Sequence, residues 1–253
     1  MTRAGAASLL WEAVSAQPHP PRHPRSSDEE LLEAETTAIL AELTDAQRLL
    51  RIQDELRNGF NSLGRLGKAV SVFGSARTPR DHPSYAKARE LARMMGHEGF
   101  TIITGGGPGI MEAANRGARD AGVPSVGLGI ELPHEQGINE WVDLPLTFHY
   151  FFTRKVMFVR YASAFVVFPG GFGTMDELFE AATLRQTEKI RYFPIVLVGT
   201  DYWGGLIDWL RERMVAEHHI VPQDVDTLAV TDDLDEVIEI VEAVEHRRPR
   251  RAA

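Results

Sequence analysis

The sequence predicts an α/β fold, a doubly wound parallel sheet covered by helices, with an N-terminal helical extension. Three observations point there. From Ala69 onward, short and nearly uninterrupted apolar runs alternate with longer helical patterns, as expected of strands buried on both faces by crossover helices. Two glycine-rich turns, Gly105–Gly109 and Gly170–Gly173, each follow an apolar run and open a helix. No internal repeat of fixed period suggests a solenoid or propeller instead.

The elements follow in order. Residues 1–27 carry four prolines together with Arg22, His23 and Arg25, and are expected to form a disordered arm. Residues 28–65 form the helical extension: start signals at Ser27-Asp28-Glu29 precede helical spacing that continues, with a break, through Asp45–Phe60. Residues 66–245 form the main domain. Its expected strands are Ala69–Phe73, Phe100–Thr104, Pro124–Leu128, Ala164–Phe168, Pro194–Val198 and Thr227–Val230. Its expected helices are Ser84–Glu98, one from Gly109 to about Ala121, Tyr150–Tyr161, one from Thr174, Trp203–Glu217 and Leu234–Val244. Glu131–His149 reads as irregular. Residues 246–253, His-Arg-Arg-Pro-Arg-Arg-Ala-Ala, form a basic tail expected to be solvated.

Composition narrows the function. The 253 residues are 43% hydrophobic and 25% charged, ordinary for a soluble globular chain. A net charge of −9 argues against a general binder of nucleic acid or anionic membrane. No apolar run approaches the roughly 18 residues of a spanning helix. The N-terminal apolar patch is interrupted at Trp11-Glu12, so a cytoplasmic location is expected rather than secretion. The absence of cysteine excludes disulfides, thiol catalysis and cysteine-held metals.

In such sheets a ligand binds beyond the carboxyl ends of the strands. Glycines in a strand-to-helix turn let backbone N–H groups approach an anion, and the helix start adds positive charge. The dinucleotide fingerprint fails, because the sixth residue counted from Gly105 is Ile110, and no G-x-x-x-x-G-K-S/T loop occurs. A zinc-protease pattern fails too, since no second histidine follows His134-Glu135 at the required spacing. A mononucleotide or sugar phosphate therefore fits better than NAD or ATP.

Thr174-Met175-Asp176-Glu177 has capping-box spacing, with Thr174 capping the helix and Glu177 reaching back. The competing role is a carboxylate close to an anion-binding helix end, kept ionised by the dipole and aimed at a ribose. Arg154-Lys155 could serve phosphate, a carboxylate or merely the surface. Gly74-Ser75-Ala76-Arg77 offers a further anion contact or a plain turn. The aromatic Phe148–Phe152 segment suits core packing, or stacking on a base.

Pro169-Gly-Gly-Phe-Gly-Thr-Met-Asp-Glu177 resembles the PGGxGTxxE motif of the LOG (Lonely Guy) family, cytokinin riboside 5′-monophosphate phosphoribohydrolases, many of which carry an older lysine decarboxylase label. Phe152-Thr-Arg-Lys-Val-Met157 is similar to its RKxxM element, and Thr104-Gly-Gly-Gly-Pro-Gly-Ile-Met-Glu112 to its first glycine turn. The resemblance spans Ala69 to Val244. The segments at Glu131–Gln136 and Tyr150–Lys155 look most like the longer bacterial members. Compact members lack the extension, whose purpose, as an interface, a cover or a partner site, the sequence leaves open.

The resemblance implies a Rossmann-like fold and a hydrolase that cleaves the N-glycosidic bond of a nucleoside 5′-monophosphate to free base and ribose 5-phosphate. It implies Arg154 and Glu177 as catalytic residues. Substrate contacts would be Gly105, Gly106, Gly107, Glu135, Lys155, Gly170, Gly171, Phe172, Gly173, Thr174, Met175, Asp176 and Thr183. No metal and no cofactor is implied, and a homodimer or larger homo-oligomer is. Two other functions stay open: a general purine or pyrimidine nucleotide nucleosidase, and a non-catalytic carrier of a phosphorylated ligand such as molybdenum cofactor. Decarboxylation fits worst, because the chain has only Lys68, Lys87, Lys155 and Lys189 and none sits in an arrangement suggesting a pyridoxal Schiff base.

Overall fold

The computed structural model describes residues 26–32, 43–131 and 137–245. Most of the expected arm and all of the basic tail lie outside them. Contacts divide the chain into two compact units, residues 1–53 and 54–253. Helix α1 (Ser27–Leu32) belongs to the first, and helix α2 (Asp45–Leu63) begins in the first and ends in the second.

The second unit is built on one seven-stranded sheet. Its strands are β1 (Ala69–Phe73), β2 (Thr101–Thr104), β3 (Ser125–Ile130), β4 (Leu144–Phe148), β5 (Ala164–Val167), β6 (Ile195–Val198) and β7 (Leu228–Thr231). All pairings are parallel and the order is β4-β3-β2-β1-β5-β6-β7. The connecting helices are α3 (Pro83–His97), α4 (Ile110–Asp120), α5 (Phe151–Tyr161), α6 (Phe172–Gln186), α7 (Thr200–Trp209), the short α8 (Pro222–Val225) and α9 (Leu234–Glu245). The doubly wound sheet is thus the one expected from the alternation of apolar runs.

Side chains alternate across each strand, and here both sides are covered. In the three neighbouring strands β1, β5 and β6, Phe73, Phe165, Val167, Ile195 and Leu197 join one core, packed by α5, α6 and α7. Val70, Val72, Ala164, Val166, Val196 and Val198 join the other, under α3, α4 and α9. That two-sided burial is why these strands read as unbroken apolar runs. In the first core, Phe73 packs edge-on against Phe158 (4.9 Å) and Phe165 (4.7 Å), and Phe165 against Phe193 (4.8 Å).

Two expectations change. The stretch read as irregular contains β4, an edge strand with burial alternating along Leu144, Leu146 and Phe148. Pro145 is tolerated because an edge position spares the missing N–H. The expected helix Trp203–Glu217 runs as α7 and then widens into a π-helical turn, Leu210–Val215.

Helices α3 and α4 meet at a glycine contact: a β-carbon on Gly117 would stand 2.1 Å from the Arg89 carbonyl oxygen. Gly117→Ala should therefore lower the unfolding free energy by about 1–3 kcal/mol, since backbone cannot yield as a side chain can. Gly205→Ala, in α7 with open space around it, should raise it by about 0.5–1 kcal/mol. Urea denaturation of both variants checks the pair.

Candidate active site

The chain leaves β1 toward β2 on one side of the sheet, while β5, the other neighbour of β1, leads away to β6. At this reversal the two following turns part and leave a crevice. Hydrogen bonds tie the crevice at its base: the Phe168 N–H donates to the Phe73 carbonyl (2.8 Å) and the Ser75 N–H to the Pro169 carbonyl (3.0 Å). Above lies a cleft of about 760 Å³. One wall is Phe73–Arg77, another is Gly170–Glu177, and Gly105, Met111, Ile130, Phe151, Arg154 and Tyr202 complete it. The Tyr202 hydroxyl donates to the Gly170 carbonyl (2.7 Å) and so fixes the second glycine turn.

That turn starts a helix earlier than the sequence pattern suggests. Gly171 is the cap residue of α6 and makes no side-chain cap bond, and Thr174 is already the third helical residue. The capping box expected at Thr174–Glu177 is therefore not formed. The N–H groups of Gly171, Phe172 and Gly173 open the helix with no carbonyl four residues back within it, an arrangement that suits an anion. The Thr174 N–H is satisfied by the Gly171 carbonyl (3.0 Å).

With the helix begun at Phe172, Glu177 lies about one and a half turns in and faces inward. It is 5% exposed, and its Oε2 meets no hydrogen-bond donor among the described residues. Burial pushes its carboxyl up to about 7, against the downward pull of the Arg154 and Lys155 charges. The helix start thus does not keep Glu177 firmly ionised, as the sequence had suggested: desolvation outweighs it.

Arg154 comes from the first turn of α5. Its Nε donates to the Leu128 carbonyl (2.7 Å), and its guanidinium lies 5.1 Å from the centre of the Phe158 ring. Gly105 is needed at its other side, since a β-carbon there would be 2.4 Å from Nη2 of Arg154. Gly109 serves a different purpose. It has φ of +66° and sits so close to the first turn that a β-carbon would lie 2.3 Å from the Ser75 carbonyl.

The structure brings together Arg154, Glu177, Gly105 and Gly170–Asp176, and sets other expected residues apart. Gly106 and Gly107 do not line the cleft: the Gly106 N–H donates to Thr104 Oγ1 (2.9 Å), and both glycine carbonyls accept from Asn139 Nδ2 (2.9 Å each). Lys155 turns aside to pair with Asp176 (2.8 Å) and Glu180 (3.2 Å). Thr183 is exposed, donates to the Phe179 carbonyl (2.8 Å), and lines a shallower neighbouring depression with Phe172 and Phe179. Glu135 lies outside the described residues. The residue pattern did not single out Met111, Ile130 or Tyr202. Tyr202 carried a usable signal, its place just past the carboxyl end of a strand neighbouring β5.

The raised Glu177 group has a consequence for stability. Between its ordinary value of 4.5 and about 7, the folded chain holds a proton that the unfolded chain releases. Stability therefore falls as pH rises through that window. Glu177→Gln removes this component, so its stability relative to wild type should grow by about 3 kcal/mol from about pH 4 to about pH 8. Denaturant unfolding at both pH values measures it.

Comparison with known proteins agrees with this architecture. The family described as "Possible lysine decarboxylase" matches residues 111–241. The cytokinin riboside 5′-monophosphate phosphoribohydrolase of Mycobacterium tuberculosis is 32% identical over 168 residues, which cover 62% of this chain and 86% of that protein. The pyrimidine/purine nucleotide 5′-monophosphate nucleosidase of Escherichia coli is 30% identical over 144 residues, half of this chain but 31% of that protein. Among solved structures, the molybdenum cofactor carrier protein of Chlamydomonas reinhardtii shares the fold, with a TM-score of 0.53 at 23% identity over 71% of this chain and 98% of its own. With the family matched over half of its length and the mycobacterial relative covered nearly throughout, the chain belongs to the LOG family, the one described as possible lysine decarboxylase.

Proposed function

We propose that this chain hydrolyses the N-glycosidic bond of nucleoside 5′-monophosphates, releasing the free base and ribose 5-phosphate. The observation that carries the reading is Glu177, a buried carboxyl group with an oxygen left unpartnered among the described residues, in the same cleft as Arg154 and beside a helix start. The opening N–H groups of α6 hold the 5′-phosphate, and this binding energy orients the sugar. Cleavage develops positive charge at the ribose. Glu177, titrating near 7, can take a proton from water at neutral pH while its carboxylate faces that charge. Water supplies hydroxide to the anomeric carbon, and the proton that Glu177 takes from it is passed on to the departing base, which leaves the carboxylate restored. Arg154 positions the nucleotide and assists the base as it leaves.

A carrier of a phosphorylated ligand would use the same helix start. It would gain nothing from a buried carboxyl near a bound anion, whose ionised form costs stability. A relative named for cytokinin riboside monophosphates and another for general nucleotides leave two substrate classes to separate. We also infer a homo-oligomer. Phe172 is 95% exposed at the cleft mouth, and Phe152, Val156 and Phe179 are exposed on α5 and α6. A second copy would cover these apolar side chains.

The protein should release base from AMP or from isopentenyladenosine monophosphate, followed by chromatography, and the ratio of the two rates distinguishes the substrate classes. Arg154→Ala and Glu177→Gln should each lower kcat by about 100-fold or more. Gly105→Ala, which crowds the Arg154 guanidinium, should cost about tenfold. No release from either nucleotide by a folded protein overturns the reading in favour of a carrier. Light scattering showing a monomer would remove the oligomer.

A further inference from the structure

Helix α5 delivers Arg154 to the cleft, and its first turn is held from elsewhere in the chain. Tyr150, its cap residue, makes no side-chain cap bond. Glu55, in the part of α2 that belongs to the second unit, holds the residue before the cap and a side chain of the first turn. Its Oε1 accepts from the His149 backbone N–H (2.9 Å) and from His149 Nδ1 (2.7 Å), and its Oε2 accepts from the Thr153 hydroxyl (2.6 Å). Glu55 is 7% exposed and Thr153 wholly buried. A carboxylate so placed also meets the positive end of the α5 dipole, and hydrogen bonds to a charged acceptor are short and strong. The other ring nitrogen of His149 faces Glu131 Oε2 at 3.1 Å.

One turn further along, the two helices touch again. Gly59 lies against Met157, where a β-carbon would come within 2.6 Å of Sδ. Beyond it the Tyr161 hydroxyl donates to the Phe60 carbonyl (3.4 Å). Glu55, Gly59 and Leu63 form the buried stripe of α2, so α5 is held at both ends against sliding and rotation. Arg154, next to Thr153, needs that control. It must bring Nε to the Leu128 carbonyl while its guanidinium fills the space beside Gly105.

We propose that Glu55 is a positioning residue for Arg154: its hydrogen bonds at the start of α5 set the depth and rotation at which the guanidinium enters the cleft. The proposal rests on the reading that Arg154 acts on substrate there. It gives this part of α2 a task in the reaction, although Glu55 itself does not line the cleft.

Glu55→Ala should lower kcat for base release by about tenfold to 100-fold, with KM within about twofold of wild type. In an Arg154→Lys background, where the bond from Nε to Leu128 is already gone, the same change should cost nothing further. In nitrogen-15 spectra the Arg154 Nε–H should exchange with solvent faster in Glu55→Ala than in wild type. Glu55→Gln keeps an acceptor for His149 but turns an amide toward Thr153, so it should fall between the two. It carries the same three measurements if the alanine variant does not fold. Wild-type kcat, an equal loss in the Arg154→Lys background, or unchanged Nε–H exchange would each overturn the proposal. If wild type releases no base from AMP or isopentenyladenosine monophosphate, the reaction assigned above fails, and the Arg154 Nε–H exchange decides the role of Glu55 by itself.

Discussion

The carboxyl of Glu177 is withdrawn from water next to a guanidinium and a lysine ammonium, and much of the site is arranged around that withdrawal. Burial favours the neutral acid and the two cations favour the anion. Burial wins, and the two cations limit the rise so that the group comes to about 7. Lys155 stays close yet is turned to Asp176 and Glu180, which dilutes its pull on Glu177. Arg154 is committed through Nε to a backbone carbonyl. The sheet supplies the setting: reversal of strand order between β1 and β5 opens the crevice, and the helix start at Phe172 turns Glu177 into it.

Much of this was legible in the sequence, for physical reasons that differ from element to element. Strands β1, β5 and β6 were readable because each is covered on both faces, which makes the whole run apolar. Strand β4 was not, because it lies at the edge, buries alternate residues and contains Pro145. The pairing of Arg154 with Glu177 came from a motif resemblance, and the fold puts both in one cleft. Thr174-Met175-Asp176-Glu177 satisfies every local rule for a helix start. The chain nevertheless enters α6 at Phe172, where Gly170, held by Tyr202, ends the turn. Glu55 gave no local signal at all. Its partners lie 94 and 98 residues away, and among Asp45, Arg48, Arg51, Asp54 and Arg57 of the same helix it reads as one more solvated charge.

The family description names a possible decarboxylase, but three of the four lysines have other partners. Lys68 lies over the Phe100 ring at 4.2 Å, Lys87 pairs with Asp232 at 2.9 Å, and Lys155 joins Asp176 and Glu180. No lysine lines the described cleft. An imine with a carbonyl cofactor needs an amine facing its ligand. The cation that lines the cleft beside Glu177 is the Arg154 guanidinium, which stays protonated and does not act as that nucleophile. The chemistry of the cleft therefore sides with bond hydrolysis and against the older description.

The pairing of Glu55 with Thr153 also sets a timetable for the nascent chain. The 98 residues between them form a loop that must be made before the contact can close, and such distant contacts belong to the slow part of folding. At about 5–20 residues per second of synthesis, Glu55 is made roughly 5–20 s before its hydroxyl partner. Through that interval its carboxylate remains hydrated, and the start of α5 is not yet locked. Strands β1, β2 and β3 pair with one another in sequence and are all synthesised within that interval, so they can begin to assemble before the lock on Arg154 can close.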